Sequence, residues 1–274
     1  MPVSKLAIGI TSIAAAALGL GAYVHQRGGP AAASATPRVS TLGYLAASDI
    51  PNSVTLLPPP PAEGSKAMAA DESARTAALR LGGTPRYALA ATDAVRTAAN
   101  TVQGFVCALG TDISSERTPA LFALLSRVRL DVRAASYPAK SHYLRARPFV
   151  VHKTHSCYTD DEAMVHEDGS YPSARGAVGW AYALVLAEVA PERKNALMAR
   201  GSAFGESRVV CDQEWQSDVD AGRLLATETV RRMQSSEAFR ADVAKARREV
   251  QAELARGVKP ARNCASESAA LASR

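Results

Sequence analysis

From Asp71 to about residue 255, apolar residues return every three or four positions, and no strand-like alternation persists anywhere. That period admits helices packed through one apolar face and little else. Composition agrees. Alanine is very frequent and aromatic residues make up only 5%, which favours helix and argues against a β-sandwich. The pattern predicts helices over 70–81, 84–99, 118–135, 137–145, 173–189, 191–212, 214–234 and 236–255. Pro119 and Pro191 stand where a first-turn proline is tolerated. Residues 149–170 are polar and aperiodic and read as a long loop. No internal repeat is visible. The expected fold is all-α, a compact helical bundle over residues 66–256, with an Ala/Ser-rich, flexible tail at 257–274.

The chain has 274 residues, with 32 Lys and Arg against 26 Asp and Glu. The surplus of cations is spread through the chain and interleaved with acids, so no basic stripe suggests nucleic acid as a partner. A local pocket for a small anionic or phosphorylated ligand stays open.

The N-terminal residues read differently. Lys5 precedes an uncharged run from Leu6 to Val24, followed by small-x-small sites at Ala31–Ala33 and Ala33–Ala35. A basic start before an apolar core is the order of a secretory signal. The run is long enough that an uncleaved anchor is the alternative, and it is the only membrane contact expected. Residues 1–35 are therefore read as a signal peptide or anchor, and 36–65, with Pro58–Pro61, as a Pro-rich lead-in. A periplasmic or secreted location follows. Cys107, Cys157, Cys211 and Cys264 fit it, predicting one or two disulfides with three pairings open. There is no CxxC pair, no metal-ligand spacing and no sign of a cofactor. His152, His155 and His166 in the long loop read as solvated.

Three segments carry chemistry. Lys140 and Arg147 are seven residues apart, two helical turns, which places both cations on one helix face. Pro172-Ser173-Ala174-Arg175 opens an apolar helix, whose start suits an anion. Ser207-Arg208 precedes Glu214 and Asp218, spaced i, i+4. Brought together, Lys140, Arg147, Ser173 and Arg208 would form a donor cage for a phosphate-like oxyanion.

In this combination the chain resembles the bacterial class A non-specific acid phosphatases. These belong to the phosphatidic acid phosphatase type 2 superfamily, which also holds the vanadium haloperoxidases. The family pattern is K-x6-RP, PSGH and SR-x5-H-x3-D. The first block is complete here as Lys140, Arg147 and Pro148. The second keeps Pro172 and Ser173, with Ala174 and Arg175 where the pattern has Gly and His. The third keeps Ser207, Arg208 and Asp218, with Glu214 where the pattern has His. The stretches Leu56–Ser65, His142–Phe149, Gly179–Glu188 and Trp215–Arg223 are also similar, and the resemblance covers roughly residues 54–255.

The resemblance implies a helical bundle, a periplasmic location and frequent homo-oligomers. It implies that the third-block His is the nucleophile, that Asp218 orients it, and that the second-block His protonates the leaving group. Glu214 and Arg175 occupy those two positions. Loss of acid–base help alone costs roughly 10²–10⁴ in rate. The expectation is a repurposed, non-phosphatase member; the alternative is a weak phosphatase with a non-His nucleophile. Glu214, Asp218 and Arg175 are the candidate reactive residues. Two arrangements satisfy the charges: an Arg175–Glu214 salt bridge across the site, or Glu214 lodged in the cage of Lys140, Arg147 and Arg208.

Overall fold

A computed structural model describes residues 42–273. The signal or anchor expected over 1–35 lies outside the described residues, as do residues 36–41. Among the described residues there is helix and no strand, and no helix is long and apolar enough to cross a membrane.

The main helices are α1 (Lys66–Leu79), α2 (Pro85–Ala94), α3 (Ala98–Gln103), α4 (Pro119–Tyr143), α5 (Ala174–Val189), α6 (Lys194–Val210), α7 (Gln216–Met233), α8 (Glu237–Ala255) and α9 (Cys264–Ala272). Local chemistry sets many of their starts. The side chains of Ser65, Thr84, Thr97, Ser173, Ser236 and Asn263 each accept a backbone N–H at the head of the following helix. Pro85 and Pro119 stand in first turns, where the missing N–H is harmless.

Helix α5 is the axis of the bundle. It is apolar on nearly every side and packs against α4, α6, α7 and α8. Two glycines let neighbours come close to it. A Cβ on Gly179 would sit 2.3 Å from the Phe204 ring of α6, and one on Gly222 would sit 2.6 Å from the Ser173 carbonyl. The second contact seats α7 against the head of α5 and so fixes Ser173. The main core includes Phe105, Leu121, Leu125, Val128, Tyr182, Leu186, Phe204 and Phe239, all fully buried.

Several expectations are corrected. Residues 118–135 and 137–145 form one helix, α4, which continues through Pro138 to Tyr143. The Ala139 N–H donates to Ser53 Oγ at 3.0 Å, so a side chain from the lead-in meets the helix backbone directly after the proline. The helix expected over 84–99 breaks at 95–97, where the Arg175 guanidinium takes the Asp93 and Val95 carbonyls at 2.6 and 2.8 Å. The loop 149–170 contains short turns at Pro148–Val151, Thr159–Asp161 and Glu162–Val165. The lead-in is tied down: Asp131 accepts the Tyr44 and Leu45 N–H groups, and Leu57 is buried beside Tyr171 and Leu225.

The tail expected to fray instead carries α9. The disulfide Cys107–Cys264 and the Arg200–Glu267–Arg262 ion pairs hold it to the bundle. The second disulfide, Cys157–Cys211, ties the long loop to the end of α6. Of the one or two bridges expected, two are formed, in one of the three pairings.

Candidate functional site

Lys140, Arg147, Ser173, Arg208 and Glu214 converge, and all five are buried. Lys140 and Arg147 do not share a helix face. Helix α4 ends at Tyr143, and Leu144 turns into the left-handed region at φ 44°. The chain doubles back and the two cations meet across residues 168–169. Lys140 Nζ donates to the Gly169 carbonyl and lies 3.7 Å from Asp168, while Arg147 Nη2 lies 3.3 Å from Asp168. Backbone carbonyls hold the rest of the Arg147 fork: Val165 and Asp168 accept from Nε, and Gln213 from Nη1. That guanidinium is fixed in place by the fold.

Ser173 does two jobs. Its Oγ accepts the Gly176 N–H at 2.8 Å, capping α5, and donates to Glu214 Oε2 at 2.5 Å. Arg208 comes from the last turn of α6, and its Nε donates to the same oxygen at 3.2 Å. Arg147 Nη1 reaches Glu214 Oε1 at 3.4 Å. The turn after α6 presents Glu214 through Asp212, at φ 58°, whose carboxylate is clamped by Arg75 at 2.7 and 2.8 Å and by Thr154.

Of the two charge arrangements, the second is the one formed. Glu214 lodges among the cage donors, and the Arg175 Nη2 group turns to the carbonyls of Asp93 and Val95. Burial alone would raise the Glu214 pKa, but Arg208, Arg147 and Lys140 outweigh it and hold the carboxyl at about 2. Burial, with Arg147 beside it, pulls Lys140 down to about 8. Burial and the neighbouring Arg208 and Arg96 pull Arg175 down to about 9.

Asp218 does not face Glu214. Its Oδ2 accepts the Trp215 N–H at 2.8 Å, capping α7, and its Oδ1 pairs with Arg145 at 2.6 Å. Arg145 in turn bridges to Asp71 at 2.7 Å. Burial pushes the Asp218 carboxyl up to about 6 against the pull of Arg145. The loop histidines also lie apart from the cage: His152 is 3.1 Å from Glu72, and His155 is 3.0 Å from Glu162. Among the described residues, no group of three or more His, Cys, Asp or Glu is placed to hold a metal ion.

A small cavity of about 30 Å³ opens beside Glu214. It is also lined by Arg96, Arg133, Tyr137, Asp168 and Arg175. Motif spacing did not single out Arg96, Arg133, Tyr137, Asp168 or Arg145. Arg133, Tyr137 and Lys140 are spaced i, i+4, i+7, so one helix face was the available signal. Arg96 carries no such signal, because its approach depends on the break between α2 and α3.

Comparison with known proteins places this geometry. The family model described as the PAP2 superfamily matches residues 119–234. The chain is 38% identical over 209 residues to a non-specific acid phosphatase of Providencia stuartii, covering 76% of this chain and 84% of that one. It is 38% identical over 200 residues to a non-specific acid phosphatase of Salmonella typhimurium, covering 73% and 80%. An acid phosphatase of Zymomonas mobilis is 34% identical over 195 residues, covering 71% and 74%.

Proposed function

Because the chain belongs to the PAP2 superfamily, we propose that it is an exported, acid phosphatase-like protein that keeps the family's oxyanion cage without its phosphohistidine chemistry. It is a repurposed member and not a phosphomonoesterase. The single observation that carries this reading is the position of Glu214. Its carboxylate takes donors from Ser173, Arg208 and Arg147, the place a phosphate would hold in the cage.

Three physical arguments support it. A carboxylate held at about pH 2 is a weak nucleophile, and its charge repels a phosphate dianion in a buried site. Arg175 stands at the family's acid position, and its Nη2 is already committed to the Asp93 and Val95 carbonyls. Asp218, which would orient a nucleophile at position 214, pairs with Arg145 instead. Export is supported by the two disulfides, since such bonds persist in oxidising compartments.

The test is phosphate release from p-nitrophenyl phosphate. The native protein should release none above background. Restoring both imidazoles with Glu214→His plus Arg175→His should raise the rate at least about tenfold over native. Robust native turnover that falls in Glu214→Ala would instead establish a weak phosphatase using the carboxylate.

A further inference from the structure

Between two firm attachments, part of the long loop reaches the wall of the cavity beside Glu214. The first attachment is Cys157, tied to the end of α6 by its disulfide and by its N–H to the Cys211 carbonyl at 3.1 Å. The second is Val165, 1% exposed, whose carbonyl accepts from Arg147 Nε at 2.9 Å. Of residues 158–164, Asp161 is the one buried. Its carboxylate lies 3.4 Å from Arg96 Nε, and Arg96 lines the cavity from the break between α2 and α3. Thr159, Asp160, Ala163 and Met164 are exposed. Glu162 folds back on the first attachment, taking the Ser156 N–H at 2.5 Å and facing His155.

Asp161 is poorly accommodated. It is 4% exposed, yet neither carboxylate oxygen has a hydrogen-bond partner among the described residues. Taking a carboxylate out of water without hydrogen bonds is costly, and one 3.4 Å ion pair offsets only part of that cost. Moving outward returns the charge to water. A segment whose one buried residue is itself unsatisfied opens at low free-energy cost. We propose that residues 158–164 are a flap on the cavity, hinged at Cys157 and Val165, which Arg96 holds shut and the burial of Asp161 drives open. Closed, Asp161 sets a negative charge behind Arg96, on a wall that also holds Arg133 and Arg175. Open, it withdraws that charge and uncovers the Arg96 side of the cavity. The flap does not depend on the proposed function: it governs access to the cavity, whatever chemistry Glu214 performs or blocks.

The two partners of the latch should then respond with opposite signs. Arg96→Gln leaves Asp161 buried without a counter-charge, so the flap opens more often. Asp161→Ala removes the charge that resists burial, while the Arg96 side chain, 26% exposed, keeps its water, so the flap opens less often. An ordinary structural tie would instead loosen in both variants. Hydrogen exchange of the full chain at pH 7, read by mass spectrometry, separates the two. Amides of residues 159–164 should exchange at least about fivefold faster than native in Arg96→Gln and at least about twofold slower in Asp161→Ala, with α5 unchanged in both. Phenylglyoxal labelling of Arg175, mapped by peptide, should rise and fall in the same order, since both measurements read one opening. The flap is overturned if Asp161→Ala exchanges no more slowly than native, if Arg96→Gln exchanges no faster, or if Arg175 labelling stays constant while exchange changes. Should Arg96→Gln fail to fold, Asp161→Ala decides alone by the same criterion. Native turnover of p-nitrophenyl phosphate would defeat the proposed function and leave these rates as they are.

Discussion

Ser207 and Arg208 are adjacent on α6, yet they feed two buried charge clusters of opposite character. Ser207 joins the cluster around Asp93. There Arg200 donates to both carboxylate oxygens at 2.6 and 3.1 Å, Ser207 Oγ donates at 2.7 Å, and Arg86 holds Ser207 in turn. Glu267 of α9 takes the other edge of Arg200 at 3.3 Å. Two acids meet the Arg200 cation, and the Asp93 carboxylate is saturated by protein donors. Arg208 joins the other cluster, where Glu214 meets Arg147, Arg208 and the Lys140 charge, and Arg208 Nη1 is left over. The first cluster sets two acids on its Arg200 cation and serves the fold. The second keeps spare cationic capacity, as an anion site does. Burial alone does not separate the two, and neither does an unbonded donor, since Arg200 Nε also lacks a hydrogen bond; the ratio of acids to cations does, with two acids on Arg200 and one Glu214 shared by Arg147 and Arg208.

The largest expected effect falls on the closed cluster. Asp93→Asn leaves Arg200 buried against a neutral amide, and removing one partner of a buried pair costs about 3–5 kcal/mol. The urea midpoint should fall accordingly and should not recover with added phosphate, because Glu267 still faces Arg200 and opposes a second anion there. A midpoint near the native one would mean that Glu267 alone compensates Arg200. The open cluster should answer differently. Glu214→Gln also strands cations, costing about 2–4 kcal/mol in buffer free of oxyanions. Inorganic phosphate should then bind the vacated cage, and at a hundred times its dissociation constant it restores about 2.7 kcal/mol. Equal rescue of both variants, or of neither, would erase the distinction between the clusters.

The bundle was legible because helical period and capping are local properties. Ser65, Thr84, Thr97 and Ser236 act within a turn of their own position. What escaped the sequence depends on distant partners. Helix α4 passes Pro138 with Ser53 taking the Ala139 N–H, a contact across 86 positions. Helix α9 is held by Cys107 and Arg200, neither of which marks residues 264–272 as helical. The site divides along the same line. Lys140, Arg147, Ser173, Arg208 and Glu214 were named from motif spacing, and the structure brings them together. The reason first offered for Lys140 and Arg147 fails, because the helix ends between them at Leu144 and they meet at Asp168. Asp218 was expected beside Glu214 at i, i+4. That spacing holds only within a helix, and α7 begins at Gln216, beyond Glu214.

The smallest effect, and the one that separates Glu214 from Asp218 most directly, is a difference of sign with pH. In the folded protein Glu214 is depressed from 4.5 to about 2. Between those values the unfolded chain holds a proton that the folded one lacks, so the Glu214 contribution rises with pH and is fully present above about 4.5. Asp218 is raised from 3.8 to about 6 by burial. Between those values the folded protein holds the extra proton. Its contribution is fully present below about 3.8 and is lost as pH rises through 6. Each effect is on the order of 1–3 kcal/mol. Urea midpoints of the native protein, Glu214→Gln and Asp218→Asn from pH 2 to 8 should therefore diverge in opposite directions. Glu214→Gln should flatten the acid limb below about 4.5, and Asp218→Asn should flatten the decline between about 4 and 6. If the Asp218→Asn curve runs parallel to native across that window, the Arg145 ion pair outweighs burial. Asp218 would then be a plain structural anion, belonging with Asp93 in the closed class and not beside the cage.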